Sequence, residues 1–234
     1  MATFSAIQTR VQRIVIDLPA AVTTEVPSLI NEAIRNLMKE HNFKVMEALT
    51  SDNLTVISTR ALMSVPSDLK EYRDDPYIRY NLGGYRPLTV AADRNSVMER
   101  YDFDDEGEPR VLLDAEPTSS LNARSWEVWP LPDGNSDWDD GEYRISVPYW
   151  KYLADLSGDS DQNWFTVNAE EYIIEDAAAR AFALDWDMEQ EAVHMQKAER
   201  FKQRIIKVDK TFRLMGVTTL VPHWRGENYP KLRR

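Results

Sequence analysis

No cysteine occurs among the 234 residues. That excludes a disulfide, a thiolate nucleophile, a cysteine-ligated zinc site and an iron–sulfur cluster. Histidine is scarce as well: His41, His194 and His223 stand far apart and form no HExxH pair, so a histidine-built metal centre is not expected. No apolar run approaches the ~20 residues of a membrane span. The opening Met1-Ala2-Thr3-Phe4-Ser5 lacks the basic and apolar stretches of a secretory leader. A protein made in a cytoplasm, with no membrane partner, is the expectation. Positive charge is in deficit, with 28 Lys and Arg against 39 Asp and Glu and a net −11. Duplex binding depends on neutralising phosphates, so general nucleic-acid binding is disfavoured. GxxxxGK, GxGxxG and GxSxG are absent, and with them a phosphate cradle or a nucleophile elbow.

What is present argues for an ordered chain. Apolar residues make up 43%, with seven Trp and ten Tyr, too much for a disordered protein. The length suits one large domain or two small ones and a core that needs no staples. Phe4, Ile7, Val11, Ile14 and Leu18 recur at helical spacing. Thr3 or Ser5 can cap that helix, Ser5 with Gln8 fits a capping box, and Leu18-Pro19 stops it. A second helix starts near Thr23-Thr24, tolerates Pro27 in its first turn, buries Val26, Ile30, Ala33 and Leu37, and ends near His41-Asn42.

Residues 43–160 hold eight of the twelve prolines and six of the eight glycines, so long helices are not expected there. Phe43–Leu49 and Leu54–Thr59 flank Ser51-Asp52-Asn53 and read as a hairpin. Gly83-Gly84 marks a turn, and Asp93 caps a short helix. Arg124–Trp129 and Glu142–Pro148 read as strands flanking a turn, the first with two unlike faces. Helix returns near Asn163, with Asn168 and Glu171 as a capping box and Tyr172, Ile173, Ala177, Ala181 and Leu184 as its stripe. A break is expected at Asp185-Trp186-Asp187. His194, Ala198, Phe201, Ile205, Val208, Phe212 and Met215 then follow a 4-3-4-3 seam that Gly216 ends. The fold class is α+β: a helical bundle built from both chain ends, an antiparallel β-rich insertion, and an extended C-terminal arm. The divisions fall at 1–42, 43–160, 161–215 and 216–234.

Charge divides unevenly. Residues 194–234 carry eleven Lys and Arg against three acids, a net +8, which leaves −19 on the rest. A basic end on an acidic body suits docking to an acidic surface.

Candidate chemistry is thin. Asp133, Asn135 and Asp137 start like a calcium loop, but Trp138 stands where glycine is needed and Arg144 where glutamate is needed. Asp102, Asp104, Asp105, Glu106 and Glu108 form an acid cluster with nothing to set the separation that glycoside hydrolysis requires. Trp126, Trp129, Trp138, Trp150 and Trp164 are more suited to cores and interfaces than to stacking on sugars. His194 falls on the helical seam, the place of a packed or hydrogen-bonded histidine. We assign no catalytic, cofactor-binding or metal-binding residue and expect no enzyme.

Several segments resemble head–tail adaptor proteins of tailed bacteriophages, the type that sits below the portal. They are Thr3–Asp17 (TFSAIQTRVQRIVID), Val26–Phe43 (VPSLINEAIRNLMKEHNF), Tyr143–Tyr152 (YRISVPYWKY), Asn163–Ile173 (NWFTVNAEEYI), Ala181–Trp186 (AFALDW) and Arg213–His223 (RLMGVTTLVPH). The resemblance implies a structural protein of the virion neck. It implies a ring of about a dozen copies around the DNA channel, in the closed symmetry common to homo-oligomers. DNA would pass without specific binding, and the partners would be the portal, sibling copies and tail or nozzle proteins. It implies an arm that reaches the portal, which we place on Val217, Leu220, Val221, Trp224 and Tyr229 as apolar anchors and Arg225, Lys231, Arg233 and Arg234 as polar contacts. A different reading is a carbohydrate- or ligand-binding tail module that uses the Trp-rich insertion.

If both ends build one helical core, removing residues 1–42 should unfold the C-terminal helices too. Circular dichroism of the truncated chain tests this, and independent folding of 163–213 would refute the architecture.

Overall fold

The computed structural model describes residues 2–53, 55–57, 60–81, 84–91, 93–102, 105–115, 125–133 and 143–216. Among them lie seven α-helices and two five-stranded sheets, so the chain is α+β. It divides into a helical unit, Met1–Lys44 with Leu156–Arg234, and a β unit, Val45–Asp155.

The helical unit is built around α6 (Glu170–Leu184), which packs against α1 (Phe4–Ile14), α2 (Ala20–Thr24), α3 (Val26–Glu40), α5 (Trp164–Asn168) and α7 (Met188–Gly216). Tyr172, Ile173, Ile174, Ala177, Ala178, Ala179, Ala181 and Phe182 of α6 are all buried, and its run of alanines lets neighbouring backbones come close. Around it close Phe4, Ile7 and Val11 of α1 and Ile30, Ala33, Ile34, Leu37 and Met38 of α3. Phe165 sits edge-on to Phe43 and Trp164, with ring centroids 5.1 and 5.2 Å away. Arg180 joins Asp176 at 2.7 Å to Glu32 of α3 at 2.8 Å. His194 is indeed packed, 2.6 Å from Glu175 and stacked on Phe182.

The helix ends depart in detail from expectation. Thr3 caps α1 through the Ala6 N–H, so the Ser5–Gln8 box does not form. The capping box belongs to α5, where Asn163 Oδ1 accepts the Thr166 N–H and Thr166 Oγ1 accepts the Asn163 N–H. Asn168 donates instead to the Trp164 carbonyl, and Ala169, the N-cap residue of α6, offers no side-chain cap. On α7, His194, Ala198, Ile205 and Asp209 are buried while Val208 is 48% exposed. A straight helix repeats every 3.6 residues, so a stripe spaced at 3.5 drifts by about 20° per heptad, and by Val208, two heptads from His194, the buried position has passed to Asp209.

In the β unit, β10 (Arg144–Lys151) is the central strand of the first sheet. β1 (Glu47–Asn53) pairs along one edge, and β4 (Leu69–Tyr72) and β5 (Tyr77–Arg79) share the other, with β6 (Tyr85–Pro87) beyond β5; all are antiparallel. Pro148 is tolerated at the hand-over from β5 to β4, where its carbonyl accepts the Arg73 N–H and no ladder donor is needed. The second sheet runs β2 (Thr55–Ile57), β3 (Arg60–Ser64), β9 (Ser125–Trp129), β8 (Val111–Ala115), β7 (Thr89–Ala91), with only β7–β8 parallel. The hairpin expected across Ser51-Asp52-Asn53 is absent: these residues continue β1, because β10 supplies partners from Glu47 to Asn53. Likewise β9 and β10 belong to different sheets.

The two sheets share one core. Met63, Leu112, Trp126 and Val128 from the second meet Ile78, Ile145 and Val147 from the first. On the other face of the second sheet, α4 (Arg94–Met98), capped by Asp93 as expected, covers Val111, Leu113 and Trp129 with Val97. Arg94 there pairs with Glu127, which is 2% exposed. Both faces of β9 are therefore buried, and its alternation does not mark a wet side.

The loop before α5 anchors the start of α1. Asp161 Oδ2 accepts the N–H groups of Gly158 (2.7 Å) and Ser157 (2.9 Å), and these bonds hold its carboxyl below the usual aspartate range. Carbonyls of Asp161 and Asp159 take the Phe4 and Ser5 N–H groups at 3.0 and 3.1 Å. A lowered folded pKa stabilises the fold above the ordinary aspartate value of about 3.9 and is lost as pH falls through the folded value. Amide exchange at Phe4 and Ser5 should therefore gain relative to the rest of α1 as pH drops below about 4. Asp161→Ala should show that gain at neutral pH, and equal protection in both proteins would refute the coupling.

Candidate functional site

The arm candidates Val217, Leu220, Val221, Trp224, Arg225, Tyr229, Lys231, Arg233 and Arg234 lie outside the described residues. The helix that leads to them is described. Asp209, 3% exposed, sits on α7. Its Oδ1 accepts the Lys44 N–H at 3.0 Å, and its Oδ2 lies 3.0 Å from both His41 Nε2 and Arg213 Nε. One carboxylate thus fastens the root of the arm against the chain leaving α3. Its acceptor sites are filled by a backbone donor, an imidazole and a guanidinium, which is what a buried carboxylate requires. Lys202 adds a second tie to Glu40 at 2.7 Å. Periodicity places Val208 on the packed face and overlooks Asp209, because an acid at a buried position carries no hydropathy signal.

The aromatic candidates separate by burial. Trp126, Trp129 and Trp150 are buried and have no face free for a sugar. Trp138 is outside the described residues. Trp164 is half-buried and lines a groove of about 380 Å³ in the helical unit with Val167, Phe201, Ile205 and Val208, rimmed by Arg204 and Glu171. Trp186, which the sequence marks only as part of a helix break, is 84% exposed.

The acid clusters are tied into loop contacts. Asp105 accepts the Asp102 N–H at 2.8 Å. Glu108 accepts from the Tyr80 hydroxyl and from Arg86, and burial together with Glu108 pushes the Tyr80 hydroxyl up. Asp133 accepts the Tyr143 hydroxyl at 2.8 Å. Asp104 and 134–140 are outside the described residues, and among those described no group of three or more acids or histidines is placed to hold a metal ion. A cleft of about 680 Å³ in the β unit has Leu49, Tyr77 and Tyr85 on its walls. Its one cation, Arg73, bonds Glu47 at 3.2 Å and Asp74 at 2.7 Å, and Asp75 leaves the lining net acidic. No described helix is long and apolar enough to cross a membrane.

Neither cleft brings together a nucleophile, a base and an oxyanion donor. What the molecule presents is surface: a basic helix leading to an arm, a groove with mixed apolar and charged walls, and an exposed aromatic tip. The family model of the SU10 adaptor protein matches residues 2–219. The chain belongs to that family. The match is consistent with a phage head–tail adaptor, and it takes in both helical segments, the β insertion and Val217 of the arm. A search of curated proteins gives no match.

For this adaptor, the Asp209 clamp sets how firmly α7 is held. Asp209→Ala leaves His41, Arg213 and the Lys44 N–H without their acceptor and should cost about 3 kcal/mol of unfolding free energy in urea. Asp209→Asn, which keeps an acceptor for Lys44, should cost less; equal stability of all three proteins would refute the assignment.

Proposed function

We propose that the protein is a structural, non-catalytic head-to-tail adaptor of a phage virion. It assembles as a ring beneath the portal, docks there through its C-terminal arm, and links capsid to tail around the DNA channel. The observation that carries the reading is the adaptor-family match along 2–219. The sequence of the arm supports its part. Val217, Leu220, Val221, Trp224 and Tyr229 are apolar anchors, interleaved with Arg225, Lys231, Arg233 and Arg234, a mixture of aromatic and arginine side chains that suits an interface hot spot. The Asp209 clamp supports it too, since a held root presents the arm from a fixed point and lowers the entropy lost on docking.

The net −11 charge fits a channel through which DNA slides, because a predominantly acidic lining repels phosphates and offers few cations to hold them. The β insertion is the part free to meet tail or nozzle proteins. In this reading the protein resides in the virion neck after synthesis in the host cytoplasm.

The test is the mass in solution of the full chain and of a chain lacking 217–234, each alone and mixed with the portal protein of the same phage. The full chain should form one large complex with the portal, and the shortened chain should not. Equal binding by both would remove the arm from the interface. Indifference of both to the portal would refute the docking role.

A further inference from the structure

The cleft of the β unit combines two chemistries. One is a set of rings. Tyr77 of β5 and Tyr85 of β6 stand with centroids 5.4 Å apart, together with Pro87 of β6 and Pro148 of β10. Register explains the grouping. Tyr77 pairs with Pro87 and with Ser146, and Tyr85 and Pro148 lie two residues from those partners, so all four rings share one face of the sheet. Tyr85 is 72% exposed, and Leu49, the β1 partner of Pro148, is 56% exposed. The other chemistry is negative charge. Glu47, Asp74 and Asp75 line the cleft against the single cation Arg73. Arg73 is engaged by Glu47 and Asp74, which leaves Asp75 exposed and without a cation among the described residues.

A face of tyrosine and proline rings beside carboxylates suits an extended segment that brings proline and cations together. Aromatic walls receive the proline, and carboxylates receive the cations. The cleft volume of about 680 Å³ lies within the usual range for a recognition cleft. The sequence holds one segment of this kind. Residues 229–234 read Tyr-Pro-Lys-Leu-Arg-Arg, and no other six-residue stretch joins three cations, an aromatic ring and a proline. Pro230 and Arg233 are three residues apart, which is one turn of a polyproline II segment, so in that conformation they project from the same edge.

We propose that residues 229–234, the end of the arm, dock in the Tyr77–Tyr85 cleft of the β unit. Charge selects this occupant. Residues 217–234 carry four Lys and Arg against the single acid Glu227, whereas DNA and the acidic body of a sibling copy would both be repelled by the net-acidic lining. Length permits it, since residues 217–234 reach up to about 60 Å when extended. The same surfaces meet whether the arm belongs to that copy or to a sibling. The contact forms without the portal and goes beyond the portal reading: cleft and portal compete for Tyr229, Lys231, Arg233 and Arg234.

The absence of cysteine makes the test clean. The full chain carrying Leu49→Cys and Leu232→Cys is treated with a short thiol–thiol cross-linker, without portal protein, and links within and between chains are both counted. The link should form, fall with added salt, and be lost on addition of excess synthetic peptide 229–234. A control chain carrying Leu184→Cys on α6 with Leu232→Cys should not link. Tyr85→Ala and, separately, Asp75→Lys should each abolish the link in the test chain while leaving the melting temperature unchanged, because both side chains are exposed. No link, an equal link in the control, or a link that survives both substitutions overturns the proposal. Portal binding by the Tyr85→Ala chain is measured separately. It should be kept or strengthened, since the rival site is gone, and weaker binding would refute the competition. A chain that links but ignores the portal would refute portal docking and leave this contact standing.

Discussion

The helical unit depends on burying α6 along nearly its whole circumference. Its alanines, Tyr172, Ile173 and Phe182 leave it no continuous wet face. A helix of this kind is stable only when other elements enclose it, and those elements come from both ends of the chain: α1, α2 and α3 from the beginning, α5 and α7 from the end. In sequence, the β insertion thus separates two parts of one core. The same constraint explains why polar groups on α6, such as Asp176 and Glu175, are each matched by a cation or imidazole from the same helix or an adjoining one.

Where the helices no longer need α6, their side chains are available for other uses. Val208 and Phe201 line an open groove with Val167 of α5 because α7 turns them away from its packed stripe. Leu184, Trp186 and Met188 stand exposed at the end of the pair. An adaptor has to make lasting contacts with other proteins. Apolar side chains at the rims of a rigid helical frame, flanked by charges of known sign, are the physical means for that. The β unit follows a different logic. Its core closes between two sheets and again beneath α4, and three of the tryptophans are consumed in that packing or in β10 beside it.

Much of the fold is legible in the sequence because it is local. Spacings of three and four residues locate α1, α3, α6 and α7. Asp93 announces α4, and the break at Asp185-Trp186-Asp187 lies where expected. The candidate site is less legible. Composition alone singles out the arm, Asp209 reads as one acid among many, and Trp186 reads as punctuation. Burial and exposure give these residues their meaning, and neither can be read from a residue's identity.

Helix positions, the mixed class and the charge imbalance belong to the linear chain, since they follow from hydrogen bonds four residues apart and from composition. Strand partners are settled only in three dimensions. Glu47 pairs with Trp150 across a hundred residues, and no local turn signal competes with a strand that offers a full ladder. The same holds for the tryptophans, buried at 126, 129 and 150 and exposed at 186. One residue type fills a core or forms a contact according to what the rest of the chain brings against it, and that is a property of the packed structure.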